Sequence, residues 1–345
     1  LRVLVTGSGG LIGSEAASHW LNKGHKVYGI DNNTRRDLFG PGGDVTSVIR
    51  SLSKNARYSH VHISITDRES VLSTLRDIEP DVIIHAAAQP SHDKAADIPF
   101  EDFNINAVGT LNILEAARRH AKNSTIIHVS TNKVYGDGPN RLDLKENDLR
   151  YDFSDERYSS GIDENFSIDQ NLHSLFGASK AAADLLAQEY GRYFGMNVGV
   201  FRGGCLTGPQ HAGVELHGFL SYIVKCAVEG TRYRIFGYKG KQVRDQIHCR
   251  DVVSCFERFI ESPRQGEVYN LGGEKKNSAS ILEVVQKIET LTGHRLDYEY
   301  VEKSRIGDHI CYYTDMSKFK LHYPGWEIST SLDDIICEIS EQRSR

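Results

Sequence analysis

Several stretches of the 345-residue chain combine residue types that can do chemistry. The first is Thr6-Gly7-Ser8-Gly9-Gly10-Leu11-Ile12-Gly13, followed downstream by Asp31 and Asn32. An apolar run, Leu1 to Val5, precedes the glycines. A helical stretch stopping near Gly24 follows them, and a second apolar run, Lys26 to Ile30, ends at the acid. Strand, glycine turn, helix, strand and acid together form a dinucleotide-binding arrangement. Gly7 permits the tight turn, Gly10 lets a pyrophosphate approach the backbone, and Gly13 lets helix and strand pack closely. The helix amino terminus offers free N–H groups and the positive end of its dipole to the phosphates. Asp31 can accept hydrogen bonds from both hydroxyls of an adenosine ribose and would repel a 2′-phosphate. NAD is therefore expected over NADP, although Arg35 and Arg36 close behind are of the type that accommodates that phosphate.

The other stretches lie further along. Ala86-Ala87-Ala88-Gln89, with His92 beyond, is a small-residue turn at the end of an apolar strand, where ligands collect in open parallel sheets. Ser130-Thr131-Asn132-Lys133-Val134-Tyr135-Gly136 leaves another strand with hydroxyls at its end. Phe176 and Lys180 stand one helical turn apart on one face. Gln242, Arg244, Asp245, His248 and Asp251, then Arg305 and Asp308, are polar clusters among apolar residues and suit the grip of a polar anion.

Alternating elements must position these residues. Strands are predicted at Tyr58 to Ile65, Asp81 to His85, Thr125 to Val129 and Asn197 to Phe201. Helices are predicted from Asp67 to Glu79, Asn106 to His120 (Leu111, Leu114 and Ala117 on one face) and Leu175 to Phe194, with a short one from Asp44 to Ser53 after a polar loop. Strands alternating with helices at this spacing predict an α/β fold, a Rossmann-type doubly wound parallel sheet whose strand ends share one crevice. Residues 1–205 are expected to form the NAD-binding domain, interrupted by a polar insertion at 139–172. That insertion is either a solvated acidic loop or a cover over the crevice. Residues 206–345 are expected to form a smaller C-terminal α/β substrate lobe interleaved with the last elements of the sheet. Its helices fall near Gly218 to Glu229, Val252 to Glu261 and Ser280 to Thr292, with short strands at Tyr233 to Phe236 and Glu267 to Leu271.

Composition narrows the function classes. A net charge of −5 offers no broad basic field, so nucleic acid is not an expected partner. No apolar run approaches the roughly 20 residues that span a bilayer, and no leader pattern opens the sequence, so a cytoplasmic protein without membrane contact is expected. The six cysteines, all from Cys205 onward, form no C-x-x-C pair and read as free thiols. Fifteen histidines invite a metal reading, but His60 and His62 lack a further ligand cluster nearby, so no metal is expected.

The motifs resemble those of the extended short-chain dehydrogenase/reductases that act on nucleotide sugars. The resemblance covers about residues 1 to 325. It rests on the turn at Thr6 to Gly13, the S-T-N-K-V-Y-G run at Ser130 to Gly136, Lys180 as the lysine of a Y-x-x-x-K pair, the V-R-D-x-x-H-x-x-D run at Val243 to Asp251, and R-x-G-D at Arg305 to Asp308. Within that group the Ser130 run and G-K-Q-V-R-D at Gly240 to Asp245 look most like the CDP-paratose (CDP-tyvelose) 2-epimerases. The resemblance implies NAD-dependent oxidation of a nucleotide-diphosphate sugar to a keto-sugar, with hydride returned to the other face, and favours a CDP-hexose. It implies that Thr131 hydrogen-bonds the reacting hydroxyl, with Asn132, Gln89 and His92 near the substrate. Lys180 would hold the nicotinamide ribose, and Arg244 and Arg305, with Asp308, would grip the diphosphate. Cofactor contacts are expected from Gly7, Gly10, Leu11, Ile12, Gly13, Asp31, Asn32, Ser64, Ile65 and Ala86 to Ala88. The Asn106 and Phe176 helices match those that pair in family dimers, so a homodimer is expected.

Two positions depart from the pattern. Where the family often has Gly-Asp after the third strand, this chain has Ile63-Ser64, leaving Ser64 or Asp67 to touch the adenine. The family's tyrosine base is Phe176 here. Either the tyrosine has been replaced, or the protein uses another proton relay. The relay candidates are Lys180 through Thr131 or a water, then Cys205, then His92. The rivals are another nucleotide-sugar dehydratase or reductase, and a protein that binds NAD or a nucleotide sugar without turnover. Asn132 and Lys133 occupy the positions where the related dehydratases carry an Asp-Glu acid–base pair.

Overall fold

The computed structural model describes residues 1–209, 218–304 and 308–344. The opening unit is β1 (Arg2–Thr6), α1 (Leu11–Asn22) and β2 (Lys26–Ile30). The polar loop predicted next is not all loop: α2 (Thr34–Phe39) forms there, entered through Asn33 at φ of 59°, with Thr34 N donating to the Asn32 side chain at 3.2 Å. α3 (Thr46–Leu52) and β3 (Tyr58–Val61) follow. β3 is shorter than the predicted Tyr58 to Ile65. Beyond Val61 the chain turns through an Ile63 N to Val61 O bond and drives Ile65 into the core. α4 (Arg68–Ile78) starts on an Asp67 cap, as expected, and leads to β4 (Val82–His85). The helix predicted from Asn106 begins earlier, as α5 (His92–Asp97), α6 (Pro99–Phe103), a π-type turn at Asn104–Val108 and α7 (Gly109–His120). Leu114 and Ala117 of α7 are buried, but Leu111 is exposed. β5 (Thr125–Thr131), β6 (Leu144–Glu146), β7 (Tyr151–Phe153), α8 (Ser174–Arg192), β8 (Asn197–Gly203) and β9 (Cys205–Thr207) come next. The chain continues with α9 (Phe219–Glu229), β10 (Tyr233–Phe236), β11 (Val243–His248), α10 (Cys249–Glu261), β12 (Glu267–Leu271), β13 (Ser278–Ser280) and α11 (Ile281–Thr292). It ends with β14 (Tyr298–Val301), β15 (Cys311–Tyr312), α12 (Ser317–His322) and α13 (Leu332–Ser344).

The chain divides into two compact units that interleave in sequence. The first comprises Leu1–Val134, Ser174–Arg202 and Val252–Tyr269. Its centre is the sheet of order β12-β8-β5-β4-β1-β2-β3, in which β1 pairs parallel to β2 and β4, β2 to β3, and β4 to β5. This is the Rossmann-type parallel sheet the sequence predicts. Its strand order reverses at β1 and β4, the switch point where open α/β sheets bind ligands. Leu4, Ile83, Ile126, Val198 and the helix residues Leu75, Ile113 and Ala187 close its core. The near-continuous apolar strands follow from burial on both faces.

The second unit comprises Tyr135–His173, Gly203–Asp251 and Asn270–Arg345. β11 pairs antiparallel with β13 and parallel with β15 and β9, and β10 pairs parallel with β14. Leu220, Ile223, Val284, Ile288 and Ile336 fill its core. α11 begins with a full capping box between Ser280 and Glu283 and stops at Gly293, whose φ of 72° suits the left-handed cap. The polar insertion is not a solvated loop. Phe153 and Ile162 are buried, β6 and β7 form a hairpin, and Tyr151 N and Ile162 N donate to Lys241 and Tyr313 carbonyls. No described helix is long and apolar enough to cross a membrane.

Candidate functional site

The glycine turn is built as its spacing implies. Gly7 has φ of 69°, and a Cβ there would lie 2.8 Å from Ala87 N, so the loops after β1 and β4 touch. A Cβ on Gly13 would sit 2.0 Å from Gly7 O; α1 can pack on the turn only without one. Gly10 differs: its nearest neighbour would be Gly7 O at 3.3 Å, so space remains on the side facing the α1 amino terminus. Ile12 is buried behind it and Leu11 is half-buried. Asp31 at the end of β2 is held by two backbone donors, Gly9 N to Oδ2 at 2.9 Å and Asn33 N to Oδ1 at 2.8 Å. Each oxygen keeps a lone pair for a further donor. Arg36 turns to Asp44, 3.6 Å away and near the surface. Arg35 lies over the Phe39 ring, 5.6 Å from its centroid.

Several expected cofactor residues make bonds of their own. Asn32 Oδ1 accepts from Thr34 N at 3.2 Å, and Ser64 Oγ bonds Thr66 Oγ1 at 2.7 Å. Ile65 is buried against Gly109, and its carbonyl accepts from Asn112 at 3.0 Å. Asp67 is taken up by α4, accepting from Ser70 N and from Ser70 Oγ at 2.6 Å.

A directional hydrogen-bond chain fixes the strand ends. Thr110 Oγ1 donates to Asn106 O at 2.6 Å, so it must accept from His85 Nε2, 2.9 Å away. His85 Nδ1 then accepts from Thr6 Oγ1 at 2.7 Å, and Thr6 Oγ1 accepts from Ala87 N at 3.1 Å. This demands a neutral His85, and burial pushes its pKa down to about 3. Ala86 N also bonds Thr6 O at 3.2 Å, which sets the Ala86 to Ala88 turn against the glycines. Gln89 is fully buried: its amide donates to Ser91 O and Asp102 Oδ1 and accepts from Ser91 N. It shapes the loop from inside. The Nε2 of His92 is buried with no hydrogen-bond partner among the described residues.

β5 and α8 bring the expected reacting groups together within the first unit. Lys180 is 4% exposed, and its Nζ donates to Val129 O at 2.8 Å. Burial lowers its pKa to about 8, opposed by Asp184 and Asp102. Thr131 Oγ1, two residues beyond Val129, accepts from Lys133 N at 3.2 Å and keeps its own proton to donate. Asn132 is buried at the start of the following turn. Phe176, one turn before Lys180, is buried and carries no group that takes a proton. Underneath, Asp184 accepts from Ser130 at 2.6 Å and from Arg202 through two bonds of 2.9 and 3.0 Å. Sequence reading missed Asp184, Arg202, Asp102 and Gly9. A carboxylate on the Lys180 face, one turn on, is the signal that would have found Asp184.

The second unit holds the predicted anion grip in part. Arg244 is buried on β11 and donates to Asp308 Oδ1 at 2.7 Å and to the carbonyls of Val243 and His309. Cys205 on β9 stands opposite Gln246 and is half-buried. Arg305 lies outside the described residues.

A model of the NAD dependent epimerase/dehydratase family matches residues 3–272. The chain belongs to that family. It is 34% identical to CDP-paratose 2-epimerase of Salmonella typhi over 84% of each chain. It is 28% identical to dTDP-glucose 4,6-dehydratase of Salmonella typhimurium over 95% of this chain and 88% of that one. Among solved structures, a variant of the Bacillus cereus UDP-glucuronic acid 4-epimerase, in complex with UDP-4-deoxy-4-fluoro-glucuronic acid and NAD, superposes with a TM-score of 0.81. It shares 26% identity over 99% of both chains. The protein is thus an NAD-dependent enzyme of the nucleotide-sugar epimerase and dehydratase class. The first unit of this epimerase/dehydratase fits the cofactor: Gly10 leaves room at a helix amino terminus, and Asp31 is oriented at the adjoining strand end.

Proposed function

We propose that the enzyme is an epimerase of a nucleotide-diphosphate sugar, a CDP-hexose inverted at C2, in which Lys180 replaces the missing phenol as proton acceptor. Gly7, Gly10, Gly13, Asp31 and the Ala86 to Ala88 turn hold NAD. When bound, NAD supplies reversible hydride acceptance, which permits oxidation of a sugar carbinol to a keto-sugar and its reduction on the other face. Thr131 hydrogen-bonds the reacting hydroxyl, and Lys180 takes its proton directly or through Thr131. Arg244 and Arg305 bind the diphosphate. Arg244 starts paired with Asp308, so the substrate phosphate exchanges for that carboxylate.

The observation that carries this reading is the state of Lys180: buried, anchored by one carbonyl, and lowered to about 8, where a lysine serves as a general base near neutral pH. The CDP-linked substrate is supported by the 34% relative. A dehydratase reading has the 28% relative behind it. Against it, Asn132 and Lys133 stand where an acid–base pair is needed. A homodimer through α6, α7 and α8 is supported by the exposed apolar side chains of Phe100, Phe103, Leu111, Leu175 and Leu185.

The test is turnover of CDP-, UDP- and dTDP-hexoses by the parent, Phe176→Tyr and Lys180→Met proteins across pH. The parent should epimerise a CDP-hexose with a rate rising through about pH 8, and the product should gain no solvent deuterium at the inverted carbon. Lys180→Met should lose about 10²–10⁴-fold, and Phe176→Tyr should gain little. A gain of several hundredfold in Phe176→Tyr would show a disabled site and end the relay reading. Loss of water from the sugar would show a dehydratase.

A further inference from the structure

Lys180 is flanked by two carboxylates that differ in what neutralises them. Asp184, on the same helix, is paired with Arg202 and also accepts from Ser130 and Gln188. Asp102, on α6, is 1% exposed and meets only neutral donors: Ser179 Oγ at 2.5 Å, Gln89 Nε2 at 2.7 Å and Asn106 Nδ2 at 3.1 Å. A buried carboxylate without a cation among its donors is costly. Ser179, which Asp102 holds, is followed directly by Lys180, a buried cation.

We propose that Asp102 is a positioning residue that sets the charge state of Lys180, acting from the far side of the Ser179 turn. The inference rests on the reading of Lys180 as the proton acceptor. Burial drives Lys180 toward the neutral amine, and the charges of Asp184 and then Asp102 oppose it. Two coupled buried groups share protons as a pair. Burial correspondingly raises the Asp102 pKa, against Ser179, Gln89 and then Lys180. Other charges around α8 are already accounted for. From β4 and β5, His85 and His128 are buried and neutral. From α7, Glu115 is paired with Arg118 and Arg119, and from α5, Lys94 reaches Asp97 and His92 stands 3.8 Å from Asp93.

Asp102→Asn removes the charge and can keep the bonds. Its oxygen accepts from Gln89 and Asn106, and its amide donates to Ser179 Oγ, whose proton is free to point to Phe176 O, already 3.1 Å away. The experiment follows the Lys180 side chain by carbon NMR with ¹³C-lysine, assigned against Lys180→Met, alongside the pH profile of kcat/KM. Parent and Asp102→Asn proteins are compared. In Asp102→Asn the Lys180 midpoint should fall by about one pH unit, the low end for a lost neighbouring charge. The alkaline rise in kcat/KM should move with it. An unmoved NMR midpoint in folded Asp102→Asn overturns the role of Asp102. A midpoint that moves while the activity profile stays fixed upholds Asp102 and instead removes Lys180 as the base.

Discussion

Gly10 and Gly13 need glycine for different reasons, which makes them separable by experiment. At Gly13 an added Cβ would meet the Gly7 carbonyl at 2.0 Å, so α1 must shift. Gly13→Ala is expected to cost about 1–3 kcal/mol, the range for overpacking, and to lower Tm. At Gly10 the nearest atom, the Gly7 carbonyl oxygen, would be 3.3 Å away, a tight contact but not a clash, so Gly10→Ala should lower Tm less than Gly13→Ala. It should nevertheless weaken NAD at least about tenfold, because the methyl occupies the approach to the phosphates. Thermal unfolding and titration calorimetry on the pair check both statements. A Gly10→Ala protein that binds NAD like the parent would move the pyrophosphate off this turn. Asp31 combines local and ligand roles: Gly9 and Asn33 hold its carboxylate, and Asp31→Ala should cost about 1–3 kcal/mol of NAD affinity.

Among the elements, α4 and its cap separate structure from binding. Asp67 was one of two residues that the sequence offered to the adenine, yet its oxygens accept from Ser70 N and Ser70 Oγ. Asp67→Ala should therefore lower stability, as the loss of an N-cap does, and leave NAD affinity unchanged. An NAD affinity loss larger than the stability loss would return Asp67 to the cofactor. The ends of β1 and β4 are tied by the chain from Ala87 through Thr6, His85 and Thr110 to Asn106. One neutral tautomer of His85 satisfies every member, and this fixes the small-residue turn beside the glycines.

At the scale of the whole molecule, buried titratable groups set opposing pH limits. His85 has its pKa lowered to about 3 from 6.5, so the unfolded chain binds more protons between those values. Its contribution is full above about pH 6.5 and is lost as pH falls toward 3. Burial raises Asp245 to about 6 and Glu164 to about 7, so their contributions are full at low pH and are lost as pH rises through those values. Asp245 accepts from Thr314 N at 3.0 Å through one oxygen, a bond that asparagine retains. Asp245→Asn should therefore stabilise the protein more at pH 8 than at pH 5, by about 1 kcal/mol. Equal effects at both pH values would show that Asp245 is ionised throughout. The exposed Phe100 and Leu185 give a second whole-molecule expectation. Phe100→Glu with Leu185→Glu should convert a dimer to a monomer in sedimentation while leaving Tm within a few degrees. A parent that sediments as a monomer would remove the dimer.

The sequence by itself determined the order of strands and helices in the first unit, the glycine turn, Asp31, Lys180 and the family. Each depends on short-range information: an apolar period, a turn only glycine makes, an acid at a strand end. Tertiary structure decided the rest. Gln89 looks like a loop residue in sequence, but long-range packing makes it an internal brace, and Ile65, expected at a strand end, lies beyond β3 in the core. The insertion at 139–172 has no periodicity, because its burial comes from partners such as Lys241 and Tyr313, distant in the chain. The environment of Lys180 was likewise not legible. Its lowered pKa, its carbonyl anchor and its two unequal carboxylates arise from residues on separate helices and strands, and no local spacing encodes their meeting.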